Sequence, residues 1–206
     1  MLKILGRVTS SNTRKVLWTA DELGLAYERE DWGLPIRNPR VPEFLALNPN
    51  GLVPVMIDDG FVLWESHAIM HYLAGGTESA VRLMPDERQR RAVVDQWLDW
   101  MQTELVPACG YAFRALGRPT PGYDDKAQID RSIGLWTDRM LILERQLSDR
   151  QYVAESFSLA DIALGIAVHR WFATPFDKPA MPNVELYYGR LKGRLAAEAY
   201  LSAKTP

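Results

Sequence analysis

The sequence predicts an α/β part followed by an all-α part. Three observations carry this. Short apolar runs alternate with turn signals and three helical stretches through the first 75 or so residues. Everything after Pro85 follows a helical period. Between them, Thr77 to Asp86 breaks both patterns. Hydrophobic spacing is the main guide to these assignments.

Leu2 to Leu5 read as a short strand. A Ser/Thr-rich loop follows to Asn12, and then Val16, Leu17, Ala20 and Leu23 recur at helical spacing, with Gly24 as the stop. Tyr27 to Asp31 forms a second strand and completes a βαβ unit. Trp32 to Pro42, with three prolines, is loop, and a short helix covers Pro42 to Leu47. Asn48-Pro49-Asn50-Gly51 is turn chemistry. Val53 to Ile57, a turn at Asp58-Asp59-Gly60, and Phe61 to Trp64 predict an antiparallel hairpin. Ile69, Met70, Tyr72 and Leu73 outline a third helix, which Gly75-Gly76 ends. The order β-α-β-α-β-β-α is that of a thioredoxin-like domain, an argument about fold and not about function.

The second half predicts a helical bundle. Val94, Trp97, Leu98, Met101 and Leu105 lie on one face of a long helix from Arg90 to Leu116, which Pro107 should kink. Asp124 to Leu147 is a second long helix. Ser158-Leu159-Ala160-Asp161 has capping-box spacing ahead of an apolar run to Val168. Pro182-Asn183 opens a last helix through Leu195. The predicted domains are residues 1–76 and 87–206, joined by a linker at 77–86.

Composition excludes several classes of function. The 206 residues are 47% hydrophobic and 10% aromatic, enough for a substantial core. Basic and acidic residues number 24 and 26, for a net charge of −2, so the basic excess of a nucleic-acid binder is missing. One cysteine, Cys109, rules out an internal disulfide framework and a multi-thiolate zinc site. No metal constellation is convincing among His67, His71 and His169. The N-terminal apolar stretch is too short for a signal peptide, and no run of about 18 apolar residues predicts a membrane span. The expectation is a cytoplasmic protein without metal, nucleic-acid or membrane partners.

Three motifs carry chemistry. Ser10-Ser11-Asn12-Thr13-Arg14-Lys15-Val16 follows the first strand and opens the first helix. The positive end of a helix favours an anion, and a hydroxyl there can donate to it. A thiol ionises near pH ~8.5 in the free state and near ~7 or below at a helix N-terminus. Two units of depression correspond to about 2.7 kcal/mol. Ser10, Ser11 and Asn12 are each able to supply the donor, and each is also an ordinary cap. Asn48-Pro49-Asn50-Gly51-Leu52-Val53-Pro54 precedes the hairpin, and Leu63-Trp64-Glu65-Ser66-His67-Ala68-Ile69 opens the third helix. A helix N-terminus with a serine suits a carboxylate, and Glu65 suits an ammonium.

Together with the helical second half and Ser158-Leu159-Ala160-Asp161, these motifs resemble a soluble glutathione transferase, of the serine-type, theta/phi-like bacterial kind. The resemblance spans nearly the whole chain. It implies that glutathione is the cosubstrate, that Ser10 holds its thiolate, and that Val53-Pro54 is a cis bond exposing the Val53 main chain to the cysteinyl backbone. It further implies that Glu65 and Ser66 take the γ-glutamyl end and that Asn12, Arg40 and Leu52 border the molecule. Arg37 is the alternative to Arg40 for the glycine carboxylate. Leu52 is a departure, because relatives often carry Lys or Gln there. Trp97, Trp100, Met101, Phe113 and Trp171 are candidates for the wall of the electrophile site, although aromatic residues at helical spacing also build cores. Asp161 is implied to be structural. The lack of a cysteine at the first helix argues against protein-thiol chemistry of the thioredoxin kind. The resemblance also implies a homodimer and a detoxifying role. A dehalogenase, an isomerase and a non-catalytic binding protein are the alternative functions.

Overall fold

The computed structural model describes residues 1–75 and 83–202. The chain divides into two compact units, Met1–Met84 and the chain from Pro85 onward. Most of the linker predicted at 77–86 lies outside the described residues, as does Gly76.

The first unit is a thioredoxin-like domain. Strands β1 (Leu2–Leu5), β2 (Glu28–Glu30), β3 (Val55–Asp58) and β4 (Phe61–Trp64) form one sheet in the order β2-β1-β3-β4. β1 runs parallel to β2 and antiparallel to β3, and β3 is antiparallel to β4. The parallel pair needs a crossover, which helix α1 (Ser11–Glu22) supplies. Helix α2 (Pro42–Leu45) and helix α3 (Ser66–Ala74) complete the unit. The second strand and the α2 helix are shorter than predicted, because strand pairing ends at Glu30 and α2 makes little more than one turn. β3 begins at Val55 rather than Val53, because Val53-Pro54 is a cis bond outside the ladder. A second cis bond, Leu34-Pro35, was not anticipated from sequence.

Two packing layers hold this unit. Ile4, Val16, Leu17, Trp18, Met56, Ile69 and Met70 are fully buried. Leu5, Trp32, Phe44 and Val55 form a cluster, with Trp32 and Phe44 rings 4.7 Å apart. Gly6, directly after β1, allows α1 to approach. A Cβ there would meet Thr13 Oγ1 at 2.4 Å and Thr13 Cγ2 at 2.9 Å.

The second unit is all helical. It comprises α4 (Arg88–Trp100), α5 (Val106–Ala112), α6 (Lys126–Gln146), α7 (Leu159–Ala173) and α8 (Pro182–Lys192), with a 3-10 turn at Leu195–Ala197. The last α-helix stops at Lys192, short of the predicted Leu195, because Gly193 caps it and Leu195 is solvent-exposed. The helix predicted from Arg90 to Leu116 is interrupted by two π-helical turns, Met101–Leu105 and Phe113–Gly117. Each has a local cause. Pro107 has no amide to give Thr103, and its ring would crowd that carbonyl; the wider turn before it relieves the clash. In the turn of α5 just ahead of the second, Ser132 of α6 inserts its hydroxyl into the helix ladder. It accepts from the Ala112 amide at 3.0 Å and donates to the Ala108 carbonyl at 2.6 Å. Insertion of a side chain in this way bends or widens a helix.

The capping box forms at the start of α7. Asp161 is fully buried and accepts from the Val153 amide (3.0 Å), the Ser158 amide and hydroxyl (both 2.9 Å) and the Tyr187 hydroxyl (3.1 Å). Burial pushes its carboxyl up to about 6 against these donors.

Two outcomes are expected. Gly6→Ala should destabilise the protein by about 1–3 kcal/mol in urea denaturation, the range for overpacking. Adding Thr13→Ala, which removes both clashing atoms, should recover part of the loss. Asp161→Asn puts an amide donor among four donors and should cost about 3–5 kcal/mol, as does breaking a buried charged network. Thermal melts check it, and an unchanged midpoint would contradict the structural role.

Candidate glutathione site

The sheet register brings the chemical motifs to one end. Leu5 pairs with Glu30 on one side and with Val55 on the other, and Val55 pairs with Trp64. The chain therefore leaves β1 toward Ser10, leaves β2 toward Arg37 and Arg40, enters β3 from Val53, and leaves β4 into Glu65 at the same edge. All four segments belong to the first unit.

Ser10 is the N-cap of α1, in extended conformation. Its Oγ accepts from the Thr13 amide at 3.4 Å. Capping uses an acceptor lone pair only, so the hydroxyl proton remains for a ligand. Capping and donation, alternatives on sequence, are thus compatible. Ser11 and Asn12 are the first two helical residues, and Asn12 is exposed. α1 has no acid in its first turn and carries buried Arg14 and Lys15 instead. Positive side chains at a positive helix end oppose helix stability and favour an anion.

The loop before Val53 is organised by buried Asn48. Its side-chain amide donates to the Leu52 carbonyl at 2.8 Å, and its oxygen accepts from the Asn50 amide at 3.0 Å. Gly51 has φ 61°, and a Cβ would meet Arg40 Cγ at 3.2 Å and the Pro39 carbonyl at 3.3 Å. The Arg40 stem thus lies against this loop. The Leu52 side chain is 59% exposed. The sequence marked this stretch as a turn; the clamp made by Asn48 was missed, although a buried asparagine ahead of Pro-Asn-Gly is an Asx-turn signal.

Arg37 is engaged elsewhere. Its guanidinium stacks 3.5 Å over the Trp32 ring and lies 3.7 Å from Glu30. Arg7, which the sequence reading left out of the site, bonds to Thr9 and packs where a Gly33 Cβ would stand.

Glu65 is the N-cap of α3 by position, yet its side chain makes no capping bond. Its backbone has φ 73°, ψ 117°, uncommon for a residue other than glycine. Ser66, the first helical residue, is buried. Beneath them Lys15 Nζ lies 3.1 Å from His67 Nε2. Burial first, then the Lys15 ammonium and His71, push His67 down to about 3, so its ring is neutral at physiological pH.

A hollow of about 540 Å³ lined by Leu2, Leu25, Ala26, Asp58, His71, Tyr72, Leu73 and Gly75 lies at the opposite end of the sheet, where Leu2 pairs with Asp58. It shares no residue with the three motifs.

In the second unit, Trp97 and Trp100 meet edge to face at 5.1 Å, and Met101 begins the first π turn. Phe113 begins the second, under the Arg170 guanidinium at 4.1 Å. Trp171 is buried among Trp136 and Phe176, at 5.2 and 5.1 Å, and serves packing there. Cys109 is buried, and burial pushes its thiol up, away from the reactive thiolate. Among the described residues no group of three or more His, Cys, Asp or Glu side chains is placed to hold a metal, and no helix is long and apolar enough to cross a membrane.

Comparison with known proteins identifies the family. The family described as glutathione S-transferase, N-terminal domain, matches residues 9–75. Glutathione S-transferase GstB of Escherichia coli (strain K12) is 34% identical over 199 residues, 95% of each chain. Glutathione S-transferase D7 of Anopheles gambiae is 30% identical over 192 residues, 91% of this chain and 84% of that one. The crystal structure of the theta class glutathione S-transferase from Xanthomonas axonopodis pv. citri with glutathione bound superimposes with a TM-score of 0.91 at 33% identity, covering 98% of both chains. The chain belongs to the glutathione S-transferase family and is a glutathione transferase.

Proposed function

We propose that this enzyme joins the glutathione thiolate to a small, hydrophobic electrophile, and that glutathione lies along the edge where the four segments converge. The observation that carries the reading is the β1–β3–β4 register, which sets Ser10, Val53 and Glu65-Ser66 at one end of the sheet. Each part of glutathione meets matching chemistry there. Ser10 Oγ donates to the thiolate, and the α1 N-terminus adds partial positive charge. The Val53 main chain pairs with the cysteinyl backbone in the manner of an added strand. Ser66 and the free amides of the first α3 turn take the γ-glutamyl carboxylate, and Glu65, unused as a cap, takes the ammonium. Arg40 takes the glycine carboxylate, since Arg37 is held by Trp32 and Glu30. Leu52 contributes its main chain and apolar contact, and Asn12 borders the thiol.

In the reaction the thiol proton leaves to solvent, and sulfur attacks an electrophilic carbon. A carbon–sulfur bond forms as a leaving group departs with its electron pair, or as a conjugated double bond accepts the pair and later a proton. The protein contributes position and anion stabilisation. Trp100 and Phe113, placed at the two π turns, are the best-supported electrophile contacts, with Trp97 and Met101 beside the first. Trp171, packed against Trp136 and Phe176, is left to the core.

The same reading makes the protein a cytoplasmic, detoxifying homodimer. An exposed apolar edge supports the dimer: Phe61 on edge strand β4 is 50% exposed and touches Tyr72 of α3, with Trp64 also exposed.

Ser10→Ala should lower kcat/KM by about 10- to 100-fold, equivalent to a charged hydrogen bond of roughly 1.5–3 kcal/mol. It should raise the thiol pKa of bound glutathione while changing its Kd less than about threefold. Loss of the cap should also cost about 1 kcal/mol of stability. Turnover equal to wild type would move the donor role to Ser11 or Asn12. Arg40→Met should raise KM for glutathione about tenfold. It should leave the binding of γ-glutamylcysteine, which lacks the glycine carboxylate, unaltered; if Arg37→Met instead shows that pattern, the assignment reverses.

A further inference from the structure

The Lys15–His67 contact has no part in the chemistry above, yet it ties together the two helices whose N-termini form the site. Lys15 is the fifth residue of α1 and 1% exposed. His67 is the second residue of α3. The 3.1 Å contact joins the second turn of one helix to the first turn of the other. A neutral imidazole accepts from the ammonium and adds no negative charge, so the positive charge stays beneath the anion-binding end. A hydrogen bond with one charged partner is roughly twice as strong as a neutral one.

What this tie restrains is visible one residue away. Glu65, with φ 73°, occupies a left-handed conformation that is strained for a non-glycine residue and persists only where surroundings over-determine it. Its side chain makes no capping bond that would hold it. Its carbonyl is fixed, accepting from the Ile69 amide at 3.0 Å in the first α3 turn. That turn is the segment His67 anchors to α1.

We propose that Lys15 and His67 are a positioning pair: their hydrogen bond clamps the first turn of α3 to α1 and so holds Glu65 and Ser66 in the conformation that receives the γ-glutamyl end of glutathione. The proposal rests on the glutathione reading of Glu65 and Ser66. Neither Lys15 nor His67 is among the residues assigned above to glutathione. His67 in particular acts through the backbone of its two preceding residues.

The test compares His67→Leu, His67→Gln and Lys15→Met in the full-length protein, with folding checked by thermal melts. His67→Leu removes the acceptor. His67→Gln keeps an acceptor near the Nε2 position. His67→Leu and Lys15→Met should each raise KM for glutathione about tenfold, and His67→Leu, which keeps the Lys15 charge, should leave kcat at saturating glutathione within about twofold. His67→Gln should restore KM to within about threefold of wild type. Amide hydrogen exchange gives a readout independent of glutathione: the Ile69 amide should exchange at least about tenfold faster in the Leu and Met variants, with α6 amides unchanged. If His67→Leu does not fold, Lys15→Met and His67→Gln carry both measurements. A folded Leu or Met variant with wild-type KM and wild-type Ile69 exchange would overturn the pair. Equal losses in the Leu and Gln variants would mark His67 as packing only and would also overturn it. Should wild-type protein fail to saturate with glutathione, the substrate reading falls, and Ile69 exchange alone still decides whether the clamp exists.

Discussion

The antiparallel pairing of β1 with β3 governs the rest of the site. Leu5 opposite Val55 sets how far the Ser10 loop lies from the Val53 main chain, and Val55 opposite Trp64 carries the same alignment to Glu65. A strand advances about 3.3 Å per residue and turns successive side chains to opposite faces. A slip of one residue would therefore shift Val53 past Ser10 by about that distance and would also turn buried Ile4 and Met56 outward. Burial of the core and alignment of the site are thus one constraint. A ligand that needs several contacts over its length is served by a register that hydrophobic burial already fixes.

The α1 helix shows where function departs from stability. Val16, Leu17 and Ala20 give it an ordinary apolar face. Its first turns bury Thr13, Arg14 and Lys15 as well, without an acid in the first turn to balance the helix end. Charge placed against the macrodipole is unfavourable for a helix considered alone. It becomes intelligible under the proposed reading, in which this end faces the glutathione thiolate, since an anion arriving there meets charge already desolvated and fixed. Gly6 permits the arrangement, because any side chain at that point would push Thr13 and the helix start away from β1.

Local chemistry was legible in the sequence, and geometry between segments was not. Strand, turn and cap signals at Leu2–Leu5, Asn48–Gly51 and Ser158–Asp161 act within a few residues, so the residues named from them occupy the expected places. The proposal of Arg40 over Arg37 rests on contacts with Trp32, Glu30 and Gly51, which no spacing encodes. The same holds for the Lys15–His67 contact, formed by residues 52 apart in the chain. Positive φ at Glu65 was invisible for a different reason: glycine advertises that conformation, and glutamate does not.

The helical unit was harder to read for a reason that can be stated geometrically. Assigning faces from Arg90 to Leu116 assumes one period throughout. Each π turn widens the helix by about one residue, and so rotates everything beyond it by about 100° relative to that period. Trp97 precedes the first π turn, Met101 opens it, and Phe113 opens the second. Residues that share a face on a uniform helix therefore need not share one here. The causes are dispersed: Pro107 lies within the helix, whereas Ser132, which opens the ladder at Ala108 and Ala112, comes from α6. The course of this helix accordingly depends on a neighbour's hydroxyl as well as on its own sequence.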